Sequence, residues 1–249
     1  MSLVTFPPAL INFDGERLDF VFHAGAPNSR KIIVLGHGVT GHKDRPFLVE
    51  IAEGLAARGF NVVRCSWSGN GESEGEFSAS NITKEVRDLD AIIGTLKTAG
   101  YRIAYAGHSM GGAVGVRRAA HDQRIEWLIS LAGIVHTWSF AQSAFGHLTP
   151  GEGLMFDKPG LVLPQAYMDD LQAIGSLIDE VDQIKVPWLL IHGTNDPVVP
   201  QQDSRDAYAR ATGDKTYVEL PGIDHLFAPN AIPKVVDTVA DWCRDRFEK

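Results

Sequence analysis

The sequence predicts an α/β fold in which helices cover both faces of a mostly parallel central sheet. Short apolar runs alternate with helical patterns along most of the 249 residues, and this alternation is typical of parallel strands joined by crossover helices. The chain is 44% hydrophobic and 22% charged. A chain of this length and composition can bury one large core, so a single unit with an insertion is expected.

Six strand candidates are expected to form the parallel part of the sheet, because they are rich in β-branched residues and bounded by glycine or proline. They are residues 31–35, 60–65, 102–106, 125–131, 186–191 and 216–220. Ahead of them, residues 9–14 and 17–23 flank Asp14-Gly15, a dipeptide that suits a tight hairpin. This hairpin predicts antiparallel strands at the edge of the sheet.

One helix is predicted over residues 81–99, where apolar side chains recur at steps of three and four. Ser80 is available as its N-cap, and Gly100 can stop it at the C-terminal end. The length and the regular spacing make this segment the clearest helix in the chain.

A long insertion is predicted between two of the strands, because residues 134–184 far exceed the usual connection of roughly 2 to 6 residues. Residues 1–133 and 185–249 would then form the core, and residues 134–184 an inserted cap. The insertion carries enough apolar side chains to cover a pocket, although each of them could instead attach the cap to the core. The candidates for contact with a bound molecule are Trp67, Trp138, Phe145 and Tyr167.

Composition excludes several kinds of partner and location. Lysine and arginine total 23 against 31 aspartates and glutamates, which gives a formal net charge of −8 and no basic block for nucleic acid. Cys65 and Cys243 form neither a disulfide framework nor a CxxC pair and suit a reducing compartment. The start of the chain lacks a signal-peptide pattern, and roughly 18 uncharged apolar residues never run together, so a soluble cytoplasmic protein without a membrane span is expected. The oligomeric state is left open, a homodimer included.

The motif Gly107-His108-Ser109-Met110-Gly111 lies between the strand candidate 102–106 and a helical stretch of small residues. In this context G-x-S-x-G predicts a sharp turn that exposes the serine hydroxyl, with glycines where side chains would clash. The serine would also lie at a helix N-terminus, where unpaired amides favour negative charge. Ser109 is therefore the candidate nucleophile, although by itself the pattern is weak and also occurs where a serine only caps a helix.

A serine hydroxyl needs a histidine to accept its proton, and that histidine needs a carboxylate to set its tautomer. Asp196 lies on a turn just after one strand candidate, and His225 lies in the loop after the next. Two alternatives stay open for the acid. Asp196 precedes proline and could only shape an Asx turn, and Asp224 adjoins His225 but, as its direct neighbour, is poorly placed to reach the far ring nitrogen.

The loop Gly36-His37-Gly38-Val39-Thr40-Gly41 follows the first parallel strand candidate, and its glycines let the backbone aim an amide at a reacting centre. The amides of Val39 and Met110 are the predicted oxyanion donors, and His37 is expected to be structural. Residues 68–75 are also glycine-rich, but they lack the G-x-G-x-x-G spacing and carry two glutamates. No metal-ligand spacing such as H-E-x-x-H occurs, so neither a metal nor a cofactor is predicted.

The motifs HGVTG, SGNGESEG, GHSMGG, HGTNDPVVP and GIDHLF, in this order, are similar to those of the α/β-hydrolase superfamily and of the bacterial cinnamoyl and feruloyl esterases in particular. The resemblance covers nearly the whole chain and implies the α/β-hydrolase fold with a small cap before the strand that leads to the acid. It also implies hydrolysis of a carboxylic ester, with Ser109, Asp196 and His225 as triad and Val39 and Met110 as amide donors.

The sequence therefore predicts a serine esterase that hydrolyses small-molecule carboxylic esters through an acyl-enzyme, with hydroxycinnamoyl, aryl or other small acyl groups as candidates. A serine amidase of aminopeptidase type is the nearest alternative, because the same triad cleaves amides. It would need carboxylates in the cap to bind an amine, for which Asp157, Asp169 and Asp170 are candidates. A non-catalytic small-molecule receptor is the alternative from a different class.

Overall fold

The computed structural model describes residues 5–228 and 230–247, which form nine strands and seven helices. The strands are β1 (Leu10–Ile11), β2 (Arg17–Leu18), β3 (Phe20–His23), β4 (Lys31–Gly36), β5 (Asn61–Cys65), β6 (Arg102–His108), β7 (Ile125–Leu131), β8 (Trp188–Gly193) and β9 (Lys215–Leu220). The helices are α1 (Pro46–Ala57), α2 (Ile82–Thr98), α3 (Met110–His121), α4 (Thr137–Phe145), α5 (Gln165–Ile174), α6 (Gln201–Arg210) and α7 (Ile232–Phe247).

Seven of the strands form one sheet in the order β3-β5-β4-β6-β7-β8-β9. The six strands from β4 to β9 pair in parallel, and β3 pairs antiparallel to β5 at one edge. This confirms the predicted mostly parallel sheet and all six crossover-linked strands. The carboxyl ends of the parallel strands lie at the same edge, where the loops of an open α/β sheet form sites.

The N-terminal hairpin is only partly in the predicted place. β3 joins the edge of the main sheet, whereas β1 and β2 form a separate two-stranded sheet. The prediction that residues 9–14 extend the main sheet is therefore wrong. The reason lies in Asn12, whose side chain accepts from the amides of Asp14 and Glu16 and donates to Asp88 on α2, 2.8 Å away. These bonds fix the hairpin against α2 instead of beside β3.

Helix α2 begins one residue later than its predicted cap implies. Asn81 is the N-cap, because its side chain accepts a hydrogen bond from the Lys84 amide at 2.8 Å. The Ser80 hydroxyl is used elsewhere and accepts from the Asn70 side chain at 3.0 Å. Gly100 has a φ of 89° just past the end of the helix, so the predicted glycine stop is confirmed.

The core lies on both faces of the sheet, because successive strand residues point to opposite sides. On β4, Ile32 and Val34 pack in one buried cluster, and Ile33 and Leu35 pack in the other. Both cysteines are free and buried, one in each cluster. The reducing location inferred from them stays a prediction.

The inserted segment, residues 134–184, contains α4, α5 and an irregular stretch closed by a bridge between Leu154 and Val162. It is attached to the core where the Asp203 carboxylate on α6 accepts from the amides of Val135 and His136 at 2.8 and 3.0 Å. Apolar side chains of α4 and α5 belong to the same buried cluster as α2 and α3. The segment is thus packed on the core, and its division from the core as a cap stays a prediction.

Candidate active site

Ser109 lies on a sharp turn between the end of β6 and the start of α3, with φ of 56° and ψ of −119°. This conformation is sparsely populated by residues with a side chain and costs on the order of 1–3 kcal/mol. The turn is tight enough that a Cβ on Gly107 would lie 2.1 Å from the Gly111 carbonyl oxygen. The strained serine therefore lies on a strand-to-helix turn, which is the structural context that the G-x-S-x-G motif requires.

The glycine loop after β4 packs directly against this turn. A Cβ on Gly38 would lie 2.7 Å from the Cβ of Ser109, and one on Gly111 would lie 2.7 Å from the His37 carbonyl oxygen. Within the described residues, the amides of Val39 and Met110 donate no hydrogen bond to the protein. Both amides are therefore available as donors beside the Ser109 hydroxyl.

The His225 ring is bound to the buried Asp196 carboxylate, with 2.7 Å between Nδ1 and Oδ2. The other oxygen, Oδ1, accepts from the amides of Val198 and Val199 at 2.8 and 2.9 Å. Burial raises the pKa of Asp196, but hydrogen bonds from His192 and His225 outweigh it and hold that pKa below its ordinary value. An ionised carboxylate requires the proton on Nδ1 of His225, which leaves Nε2 as a base.

His192, at the end of β8, contacts the same carboxylate as His225, a contact that was not predicted from the sequence. Its Nε2 lies 3.2 Å from Asp196 Oδ2 and 3.1 Å from the Val199 carbonyl oxygen. Two acceptors at Nε2 require a proton there, so Nδ1 accepts from the Ser204 hydroxyl at 2.7 Å. The spacing of four residues between His192 and Asp196 was the sequence signal for this contact. It indicates a contact only once the conformation of the turn between the two residues is known.

His108, inside the serine motif, contacts the loop that carries His225. Its Nε2 donates to the His225 carbonyl oxygen at 2.9 Å, and the two ring centroids are 4.6 Å apart. Burial, followed by the nearby His225, lowers the pKa of His108 well below its ordinary value. A neutral His108 therefore ties the loop after β9 to the turn that bears Ser109.

Ser109 and His225 line the same cavity, whose volume is about 350 Å³. No direct hydrogen bond joins the Ser109 hydroxyl and the His225 ring within the described chain. Hydrogen bonds between catalytic groups often tighten only when a substrate binds. Asp196 lies behind His225, away from the cavity. The Met110 side chain is buried, and its sulfur lies 3.5 Å from the Tyr167 hydroxyl.

The four aromatic residues predicted to contact substrate lie outside the described lining of this cavity. Trp67 is fully buried and donates its indole N–H to the His37 carbonyl oxygen at 3.2 Å. Phe145 and Tyr167 are buried with ring centroids 5.9 Å apart, and Trp138 packs partly buried against the same cluster. Trp138, Phe145 and Tyr167 thus pack in the cluster that joins the inserted segment to the core, and Trp67 lies within the core itself. Their contact with a substrate stays a prediction.

Other side chains form the cavity wall. The apolar part comes from Phe47 at the start of α1, Val198 after Asp196 and Leu226 after His225. The inserted segment contributes Phe156 and Lys158. Phe156 has a left-handed φ of 53°, so it belongs to an irregular stretch that apolar periodicity could not place.

His37 holds the glycine loop in shape, as expected of a structural residue. Its Nε2 accepts from the Trp67 amide at 3.0 Å, so Nδ1 carries the proton and donates to the Gly38 carbonyl oxygen at 2.8 Å. The residue is 1% exposed, and burial lowers its pKa to about 4. The ring is therefore neutral at physiological pH.

Lowering the pH from 7 to 5 is expected to reduce the free energy of unfolding, in part through His37. The unfolded chain binds a proton at His37 with a pKa near the ordinary value of about 6.5, whereas the folded chain does so only at about 4. The contribution of His37 is therefore complete above the unfolded pKa and is lost as the pH falls toward the folded one. At pH 5 the expected loss is about 2 kcal/mol, measured by urea unfolding at both pH values.

His37→Gln is the variant for this prediction, because an amide side chain can still accept from Trp67 and donate to Gly38. Its loss of stability between pH 7 and pH 5 is expected to be smaller than that of the wild type by about 2 kcal/mol. His121→Gln is the matched control, since the His121 side chain is 64% exposed. An identical pH dependence in the wild type and His37→Gln would contradict the assignment of a buried neutral ring.

Fold and site together define a serine hydrolase of the α/β-hydrolase class. A strained serine between a strand and a helix, a glycine loop against it and a histidine paired with a carboxylate are the parts that define this class. The family model described as serine aminopeptidase, S33, matches residues 27–170 and 159–228. The chain belongs to this family, and the protein is a hydrolase.

Similar sequences occur in bacteria and plants. The chain is 27% identical over 209 residues to the uncharacterized protein YfhR of Salmonella typhi, and the match covers 81% of this chain and 66% of that protein. It is 29% identical over 171 residues to the α/β-hydrolase domain-containing protein WAV2 of Arabidopsis thaliana, covering 67% of this chain and 54% of that protein.

Solved structures confirm the α/β-hydrolase fold. Est1E from Butyrivibrio proteoclasticus, determined with bound ferulic acid, has a TM-score of 0.86 at 24% identity, covering 98% of this chain and all of that one. The monoacylglycerol lipase of Paleococcus ferrophilus has a TM-score of 0.73 at 22% identity, covering 90% and 97%. The resemblance drawn from the motifs therefore holds for the fold.

Among residues 5–228 and 230–247, no group of three or more His, Cys, Asp or Glu side chains is arranged to hold a metal ion. No helix within those ranges is long and apolar enough to cross a membrane.

Proposed function

We propose that this protein is a serine esterase in which Ser109, His225 and Asp196 act as a catalytic triad. The observation that carries the proposal is the bond of 2.7 Å between His225 and the buried Asp196, at the wall of the cavity that also contains the strained Ser109. A histidine held in one tautomer, in a cavity that a serine also lines, is the arrangement that activates a hydroxyl for acyl transfer.

In the proposed reaction, His225 Nε2 accepts the proton of Ser109 as the serine oxygen attacks the ester carbonyl carbon. The carbonyl oxygen becomes negative and receives hydrogen bonds from the amides of Val39 and Met110. The imidazolium then protonates the alcohol as the carbon–oxygen bond breaks, which leaves an acyl group on Ser109. A water activated by His225 hydrolyses this acyl-enzyme, releases the carboxylic acid and restores the serine.

The cavity favours ester substrates over aminoacyl amides, because an aminoacyl amide needs a carboxylate that binds its amino group. The three aspartates that could have bound a substrate amine, Asp157, Asp169 and Asp170, lie outside its described lining. Asp224 does line the cavity, but its carboxylate accepts from the amides of Leu226 and Ala228 at 2.9 and 2.8 Å. The ferulic acid in Est1E and the name of the Paleococcus lipase also favour esters.

We also propose that the inserted segment acts as a cap over this site. It supplies Phe156 and Lys158 to the cavity wall, while α4 and α5 stay packed on the core. Together with Phe47, Val198 and Leu226, Phe156 gives the cavity an apolar wall that suits an aryl or short alkyl group.

A substrate panel tests the proposed activity. We expect the wild type to hydrolyse 4-nitrophenyl acetate and butyrate, with methyl ferulate as the hydroxycinnamoyl member of the panel, and to act much more slowly on leucine 4-nitroanilide. A preference for the anilide would favour the amidase. If the purified protein binds these compounds without turning any of them over, the receptor alternative is correct.

A further inference from the structure

Two cationic side chains line the cavity beside the glycine loop. Arg45 precedes α1, and Lys158 comes from the inserted segment. The two are distant in sequence but line the same cavity. Burial, followed by the charge of Arg45, lowers the pKa of Lys158. Both side chains are only partly exposed. The cavity therefore has a cationic end as well as an apolar wall.

Neither cation has a carboxylate partner in the described part of the chain. Lys158 Nζ donates only to neutral groups, the Thr40 hydroxyl at 2.9 Å and the Thr40 carbonyl oxygen at 3.2 Å. Arg45 forms no side-chain hydrogen bond or ion pair within residues 5–228 and 230–247. Partly buried cations without an anion nearby are unfavourable unless a ligand supplies one.

The nearby acidic groups are already occupied. Asp44, next to Arg45 in sequence, pairs with Lys43 and Arg64. Asp224 lines the cavity, but two backbone amides stabilise its charge. Asp196 lies behind His225, which it binds. The protein has a net charge of −8, whereas this end of the cavity carries two unpaired positive charges.

We propose that Arg45 and Lys158 form an anion subsite and that the substrate is an ester carrying a carboxylate on its acyl or its alcohol part. This inference rests on the proposed esterase function and names its substrate class. Lys158 is held by Thr40 of the glycine loop. Arg45 supplies a planar group suited to a carboxylate. The apolar wall formed by Phe47, Phe156 and Leu226 would hold the chain or ring between the ester and the carboxylate.

Matched pairs of esters test the proposal and distinguish a carboxylate on the acyl part from one on the alcohol part. Mono-4-nitrophenyl adipate against 4-nitrophenyl hexanoate places the charge on the acyl part. 4-Acetoxybenzoate against 4-acetoxybenzamide places it on the alcohol part. We expect kcat/KM to favour the charged member of at least one pair by about tenfold or more, as a charge-assisted hydrogen bond implies.

Variants assign this preference to the two cations. Lys158→Gln and Arg45→Gln are each expected to lower the ratio of kcat/KM for the charged over the neutral ester by about tenfold, mainly through KM. Arg58→Gln and Lys185→Gln are matched controls, because both residues are exposed and outside the cavity lining. Each control removes one positive charge and is expected to keep the wild-type ratio.

The outcomes separate this inference from the esterase proposal. An active enzyme that shows no preference for the charged member of either pair overturns the anion subsite and leaves the esterase intact. So does a preference that survives in both cavity variants. If the enzyme hydrolyses none of these esters, calorimetric titration of Ser109→Ala with each charged and neutral ester still tests the subsite. Tighter binding of the charged ester supports the subsite, and equal or weaker binding refutes it.

Discussion

Replacing Ser109 by alanine is expected to lower kcat/KM for a 4-nitrophenyl ester by at least roughly 10⁴-fold. Without the hydroxyl no acyl-enzyme forms, and the residual rate comes from water acting beside the amides of Val39 and Met110. The variant is expected to fold normally, because alanine meets the same backbone strain at φ of 56° as serine does. Steady-state hydrolysis and urea unfolding of the same preparation measure both effects.

Ser143→Ala is the matched control for this prediction, since Ser143 is exposed on α4 and outside the cavity lining. Its rate is expected to stay within about twofold of the wild type, as is usual for an exposed surface substitution. A stable Ser109→Ala protein with near-native turnover would show that another group carries the reaction.

Asp196→Asn is expected to reduce kcat by roughly 10³- to 10⁴-fold at pH 7. The carboxylate oxygen Oδ2 accepts from both His225 Nδ1 and His192 Nε2. An asparagine offers only one acceptor oxygen, so its NH2 group would face either the Val198 and Val199 amides or both rings. Backbone amides can only donate, so the NH2 group is expected to face the rings. If that donor faces His225, the proton moves to Nε2 and the ring can no longer accept one from Ser109.

Asp224→Asn tests the rival acid in the same assay. The Asp224 carboxylate accepts from the Leu226 and Ala228 amides and forms no hydrogen bond with the His225 ring in the described residues. An asparagine oxygen can still accept from those amides, so the loss is expected to stay within about tenfold. If Asp224→Asn were as damaging as Asp196→Asn, the assignment of the acid would have to be revised.

Local sequence patterns were sufficient to predict the sheet, and they underlie the chain order of the proposed triad. Each parallel strand combines β-branched residues with flanking glycine or proline, and Ser109, Asp196 and His225 each follow a strand. In a parallel sheet the carboxyl ends of such strands lie at one edge, so the three residues were expected at the same edge. Successive buried residues of β4 pack in alternate clusters, as the period of a strand predicts.

The parts that were not predicted depend on contacts between distant segments. Phe156 and Lys158 reach the cavity from an irregular stretch with no periodic pattern, whereas Phe145 and Tyr167 follow helical periodicity because they face the core. His108 contacts the His225 carbonyl oxygen across 117 positions of sequence, and no spacing rule describes such a contact. An apolar pattern therefore identifies buried side chains better than those that face a substrate.

Labelling with a fluorophosphonate tests the central claim most directly, because this probe reacts only with an activated serine. Intact mass and peptide mapping are expected to show a single adduct, on Ser109, in the wild type. Labelling is expected to be absent in Ser109→Ala and slowed in Asp196→Asn. An adduct on a different residue, or none on an enzyme that hydrolyses esters, would contradict the proposed triad.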